Sequence, residues 1–161
     1  MRILGVDPGY AIVGFGIVDY AGANFVPIDY GAILTQAHTP FTQRLCDINT
    51  DILEVFRRYE PDCMAIEKLY FTSNQKTAID VAQARGILIL AAAKKKIPVY
   101  EYTPLQVKMA VVGYGKAEKK QVMEMTRNIL KLNQIPKPDD AADALAIAIC
   151  HGHCCQGRRN D

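Results

Sequence analysis

The stretch MRILGVDPGYAIVGFGIVDY, residues 1–20, decides how the rest of the chain is read. Ile3, Leu4 and Val6 form one short apolar run, and Ile12, Val13, Phe15, Ile17 and Val18 form a second. Runs this short, separated by Pro8 and Gly9, read as buried strands rather than helices. Asp7 stands between them. A carboxylate at the end of a buried strand, just before a tight Pro-Gly turn, is either a turn residue or a group held at the sheet's edge for chemistry. Working outward, strands are expected near residues 2–7, 11–19 and 25–34, with AGAN at 21–24 supplying a Gly and an Asn for the turn, so that the three make an antiparallel meander.

From Pro40 to Tyr59 the apolar positions Leu45, Ile48, Ile52, Val55, Phe56 and Tyr59 recur at the helix period. CMAIE, 63–67, reads as a buried strand that again ends in an acid, Glu67. TAIDVAQARGILILAAAKKK, 77–96, reads as a helix apolar on nearly every face in its middle. In a domain this small such a helix needs a second subunit to cover it, which predicts a homodimer. IPVYEY, 97–102, is a fifth strand, and Thr103, Pro104 and Gln106 carry the cap, first-position and capping-box signals of a helix start. Gly113–Gly115 reads as a hinge-like loop, AEKKQVMEMTRNILKL, 117–132, as a helix, and AADALAIAICHG, 141–152, as the last one. The alternation predicts an α/β fold: one mixed five-stranded sheet, an antiparallel meander plus parallel strands, flanked by helices.

The 161 residues suit a single domain. No apolar run approaches the roughly 20 residues of a membrane helix, and the opening strand does not read as a secretion signal, so no membrane association and a cytoplasmic location are expected. The five cysteines are accordingly read as reduced. CHGHCC, 150–155, has Cys and His in metal-ligand proportions but lacks a second ligand pair. Nineteen Lys and Arg against 17 Asp and Glu leave a net charge of +2, yet the basic residues cluster, at Lys94–Lys96, at Lys116, Lys119 and Lys120, and at Arg158 and Arg159. That division suits a phosphate backbone held by a basic surface. GFG at 14–16 and GYGKA at 113–117 miss the dinucleotide and P-loop patterns, and a single serine, Ser73, without a nucleophile elbow argues against a Ser/His triad.

Acids at the ends of two central strands lie where open α/β sheets place their sites. Asp140 and Asp143, three residues apart at the start of the last helix, share a face, and small neighbours, Ala141, Ala142 and Ala144, let that helix approach a sheet. Taken singly, each acid has an ordinary explanation as a cap or turn residue. Together, Asp7, Glu67, Asp140 and Asp143 repel one another and need a counterion. An oxygen-only donor set suits Mg²⁺, with Mn²⁺ substituting, and two ions roughly 3.5–4 Å apart form the clamp used for phosphodiester hydrolysis.

GVDPGYAIVGFGIVD, AIEKLYF, QARG, QVKMAVVGYGKAEKKQV and DDAADALAIAICH, in this order and spacing over almost the whole chain, closely resemble the RuvC-type Holliday junction resolvases of bacteria. The resemblance implies a ribonuclease H-like domain over residues 1–153, and 154–161 is expected to be a flexible tail. The tail itself matches nothing in the family, and its flexibility is expected from its terminal position alone. The resemblance implies a homodimer that cuts two strands of a four-way DNA junction symmetrically, in recombination and repair, beside a branch-migration helicase complex. By motif position the catalytic and metal-holding acids fall on Asp7, Glu67, Asp140 and Asp143, while Lys119 supports catalysis and Lys108 contacts DNA. Lys116 and Lys120 are expected on the DNA surface with them. Tyr70 or its neighbour Phe71 occupies the place of an aromatic that stacks at the crossover, a role that tolerates either ring. Asp139, where the family often has a small residue, is left outside the catalytic set. Competing readings are a nuclease of this fold acting on ribosomal RNA precursors, a catalytically silent junction binder, and an actin-like phosphotransferase, for which the chain is too short.

Overall fold

The computed structural model describes residues 1–70 and 75–156. Its strands are β1 (Arg2–Asp7), β2 (Ile12–Ala21), β3 (Asn24–Leu34), β4 (Cys63–Glu67) and β5 (Val99–Tyr102). Its helices are α1 (Phe41–Tyr59), α2 (Gln75–Lys94), α3 (Pro104–Val111), α4 (Lys119–Ile129) and α5 (Asp139–Gln156). The five strands lie in the order β3-β2-β1-β4-β5. β1, β2 and β3 pair antiparallel, whereas β4 runs parallel to both β1 and β5. This is the mixed, ribonuclease H-like sheet that the resemblance implies.

Strand parity divides the core into two layers. Leu4 and Val6 of β1 and Met64 and Ile66 of β4 face α1 and α2, where Ile48, Ile52, Phe56, Ala84 and Leu88 pack on them. Ile3, Cys63 and Ala65 alternate to the opposite side, into a cluster with Val107, Val122, Leu145 and Ile149 of α3, α4 and α5. Side chains in a strand alternate strictly, so Asp7 and Glu67 inherit the α5 side from Ile3 and Ala65.

The helix α5 can lie close there because the sheet is notched beneath it. Gly5 pairs with Gly16 and Asp7 with Gly14 across β1 and β2. A Cβ on Gly5 would stand 1.9 Å from the Ala144 carbonyl oxygen, and one on Gly14 would stand 2.0 Å from that of Asp140. Ala141, Ala142 and Ala144 complete the fit, all buried. The small residues on both partners therefore set the height and register of the helix that carries the acids.

Local signals place most element ends. In α3, Thr103 accepts from Gln106 N–H at 3.1 Å and Gln106 Oε1 accepts from Thr103 N–H at 2.8 Å, with Pro104 opening the helix, as its sequence predicts. Other ends differ from expectation. The β2–β3 turn centres on Gly22 and Ala23, at φ 54° and 73°, and Asn24 already belongs to β3: two left-handed residues match the twist of a two-residue hairpin. Helix α4 starts at Lys119 rather than near Ala117, since Gln121 Oε1 accepts from Glu118 N–H at 2.8 Å and makes Glu118 the boundary. Helix α5 begins at Asp139 and continues through residues 154–156, so part of the expected tail is helical, and 157–161 lie outside the described residues. The register slips between Ile17, paired with Asp29, and Val18, paired with Pro27, so Ile28 of the edge strand β3 is the extra residue, next to a proline that has no N–H for the ladder.

Candidate active site

β1 and β4 are parallel neighbours, so their C-terminal ends, Asp7 and Glu67, emerge side by side. The start of α5 passes over them, and α3 and α4 close the far side. The result is a cleft of about 220 Å³ lined by Asp7, Glu67, Lys108, Lys119 and Asp143 among polar residues, with Val107, Val122 and Ile147 as its apolar wall. Asp140 is half-buried at the rim: its backbone sits over Gly14, and its charge reaches Asp7. Since α5 starts at Asp139, Asp140 is in the first turn and Asp143 in the next, so the pair reaches the cleft at two depths.

The electrostatics follow from crowding acids into a half-buried space. Burial, then the charges of Glu67, Asp143 and Asp140, push the Asp7 carboxyl up to about 8, against the opposing charge of Lys119. Burial and Asp143 raise Glu67 in the same direction. Asp143 is raised by burial as well, although Lys119 counters it with Nζ 3.2 Å from Oδ2. Burial works against the Lys119 ammonium, but the carboxylates of Asp143, Asp139 and Asp7 outweigh it and its pKa rises. A lysine as the first residue of a helix is disfavoured by the helix dipole, so the acids across the cleft are what this position answers to. Lys119 also lies 3.9 Å from Asp139 Oδ2, which makes Asp139 a competitor for that ammonium at the surface.

Among the described residues no three Cys, His, Asp or Glu side chains stand in metal-ligating geometry. The donor set itself fits a hard divalent cation: oxygens only, on one cleft, with an unmet need for positive charge expressed in the raised carboxyl of Asp7. The two histidines of 150–155 diverge instead. His151 Nδ1 lies 2.7 Å from Tyr102 Oη, with Cys155 Sγ 3.4 Å from Nε2, whereas His153 Nδ1 turns to the Ala110 carbonyl at 2.9 Å.

Of the expected nucleic-acid contacts, Lys108 lines the cleft, while Lys116 and Lys120 are exposed outside it on the α3–α4 connection and on α4. Tyr70 is 56% exposed, three residues beyond Glu67. Phe71 lies outside the described residues. Two features are not apparent in the sequence. The glycine notch was signalled by Gly5, Gly14 and Gly16, which share one face by parity but reveal it only once β1 and β2 are paired. Arg85, in QARG, is the second: its Nε donates to the Glu67 carbonyl at 3.0 Å.

The family model described as crossover junction endodeoxyribonuclease RuvC matches residues 3–151. A crossover junction endodeoxyribonuclease RuvC from Halothermothrix orenii is 54% identical over 153 residues, spanning 95% of this chain and 93% of that protein. The Thermus thermophilus RuvC structure superposes with a TM-score of 0.91 at 35% identity, covering 98% of this chain and 97% of that one. The same protein in complex with a Holliday junction substrate superposes with a TM-score of 0.89 at 34% identity, covering 98% and 96%. A full-length match in sequence, together with the shared backbone beneath the acidic cleft, means that this chain belongs to the RuvC family of crossover junction endodeoxyribonucleases.

Proposed function

We propose that the protein resolves four-way DNA junctions as a homodimeric, divalent-metal-dependent endonuclease, hydrolysing one phosphodiester in each of two strands of like polarity. The convergence of Asp7, Glu67 and Asp143 with Lys108 and Lys119 in one cleft carries this reading. Asp7, Glu67, Asp140 and Asp143 would hold Mg²⁺, or Mn²⁺ in its place, as two ions. When bound, such a pair supplies an activated water and stabilises the leaving oxygen of an in-line displacement.

The chain's own groups prepare that chemistry. Lys119 neutralises Asp143 in the free protein and exchanges this partner for the scissile phosphate, whose developing charge it stabilises. Lys108 steadies the same strand from the α3 wall, beside the apolar residues Val107, Val122 and Ile147. Lys116 and Lys120, exposed beyond the cleft, suit contacts to the backbone of a junction arm. Exposure of Tyr70 suits stacking on an unpaired base at the crossover.

The outer face of α2 supports the dimer. Ile79 is 64% and Leu90 51% exposed, and a Cβ on Gly86, between them, would meet nothing within 4 Å. An apolar stripe with a glycine at its centre suits close approach of a second copy. A two-fold dimer explains paired cuts. Action on chromosomal DNA, beside a helicase that migrates the branch, is work for the cytoplasm. No helix among the described residues is long and apolar enough to cross a membrane.

The deciding experiment offers end-labelled four-way DNA, linear duplex and structured RNA to the protein over a series of Mg²⁺ and Mn²⁺ concentrations. Symmetric nicks in the junction alone, and only with metal, are expected. Preferential cutting of the RNA, or junction binding with no product at any metal concentration, overturns the proposal.

A further inference from the structure

Arg85 occupies the middle of α2, and its side chain is only 14% exposed. A guanidinium with so little water must find acceptors within the protein. Two are present. Nε donates to the Glu67 carbonyl at 3.0 Å, and an Nη atom is ion-paired with the Glu101 carboxylate of β5.

The position of the first acceptor matters. Pairing of β4 with β1 ends at Ile66, one residue before Glu67. On the other side Glu67 pairs with Tyr102, and Lys68 N–H donates to the Tyr102 carbonyl at 2.8 Å. Beyond this the chain leaves the sheet through Lys68, Leu69 and Tyr70, all exposed. Glu67 is thus the last residue of β4, at the point where the ladder stops holding it on the β1 side. Arg85 takes over there, and Glu101 anchors the guanidinium so that the donor cannot swing away.

We propose that Arg85 is a positioning residue for Glu67: a strut from α2 that fixes the end of β4, and with it the Glu67 carboxylate, relative to Asp7. Arg85 is not among the residues lining the cleft, and its acceptors are the Glu67 carbonyl and Glu101 rather than Asp7, Asp140 or Asp143. Its role rests on the junction-resolving reading of the cleft, because it serves the acid that reading employs. A rigid strand end matters since acids shared by two ions tolerate only small displacements, and outer-shell partners of metal-holding residues commonly account for roughly 10- to 100-fold of affinity or rate.

The test compares wild type, Arg85→Gln, Arg85→Lys and Glu101→Gln by three measurements: Mn²⁺ affinity by calorimetry without DNA, metal-free junction affinity, and single-turnover cleavage of a saturating four-way junction. For Arg85→Gln, Mn²⁺ binding weaker by roughly 10- to 100-fold, a matching fall in cleavage rate and unchanged junction affinity are expected. Arg85→Lys, able to donate to the carbonyl but not to bridge both acceptors, should recover part of the loss. Glu101→Gln should show a smaller shift in the same direction. Wild-type Mn²⁺ affinity in a folded Arg85→Gln overturns the proposal, as does an equal loss of junction affinity and melting temperature with no change in Mn²⁺ affinity. Should Arg85→Gln fail to fold, the other two variants decide, and wild-type Mn²⁺ affinity in both overturns it. If wild type itself leaves the junction intact, the resolvase reading fails while the calorimetry still decides on Arg85.

Discussion

Asp7 is a side chain that is unfavourable for the fold, and the proposed chemistry gives the reason to keep it. Its carboxyl is raised from 3.8 to about 8, foremost by burial and then by Glu67, Asp143 and Asp140. Below about pH 4 folded and unfolded chains both carry it protonated. As pH rises towards about 8 the unfolded chain ionises while the folded chain holds the proton, so metal-free stability falls across this window and levels off above it. Glu67 and Asp143, also raised, steepen the fall. A divalent ion held as proposed would bind the ionised acids, so the rise in melting temperature on adding Mg²⁺ should be larger at pH 8 than at pH 5.5; a pH-independent rise counts against a metal at these acids. Asp7→Asn removes the charge while keeping the shape. Cleavage should disappear with junction binding retained, and the metal-free protein should melt higher at pH 8, by about 2–4 °C for each kcal/mol of repulsion relieved. Differential scanning calorimetry beside a gel-shift and cleavage assay checks all three.

Among the elements, α5 does most to assemble the site, and its placement depends on atoms that are absent. The Asp140 carbonyl rests where a Gly14 side chain would stand, at 2.0 Å from an added Cβ. Gly14→Ala must therefore lift the N-terminus of α5 or bend β2, because the obstruction is backbone that no rotamer change relieves. A loss of roughly 1–3 kcal/mol in urea unfolding is expected. Cleavage should fall further than stability explains, by about 100-fold, since both Asp140 and Asp143 ride on this helix. Wild-type cleavage in a folded Gly14→Ala would show that α5 has freedom that the close packing denies it. Capping residues act in a comparable way on α3 and α4, because they define where each helix starts and so where Lys108 and Lys119 enter the cleft.

For the whole molecule, the sheet puts the proposed catalytic cleft and the proposed dimer face on opposite sides. Its α5 side holds the acids and lysines, and its α2 side presents the exposed apolar stripe. Leu90→Glu places a charge in that stripe, away from the cleft, and should leave a monomer at micromolar concentration by sedimentation equilibrium. Each monomer retains a complete set of acids, so junction cutting should become uncoupled: supercoiled plasmid with an extruded cruciform should accumulate as nicked circles where wild type gives linear product. A dimeric Leu90→Glu with paired cutting would move the interface elsewhere.

Strand order along the chain, the period of α1, the capping box of α3 and the acids ending β1 and β4 were legible in the sequence, because short-range patterning and local hydrogen bonds determine them. The family followed from motifs that span nearly the whole chain. Some boundaries were missed: the start of α4 at Lys119, although its Glu118–Gln121 cap is as local as that of α3, the Gly22-Ala23 turn and the full length of α5. The roles of Gly5, Gly14 and Arg85 were not legible, since a missing side chain acquires meaning only from the backbone lying over it, and an arginine only from the acceptors it reaches. The sequence by itself determined which acids were available and on which face of each strand they fall, because side-chain alternation is a local property. Only the tertiary structure decided that Asp7, Glu67 and Asp143 share one cleft with Lys119, because distances between residues far apart in the chain are set by packing α5 into the notch in the sheet.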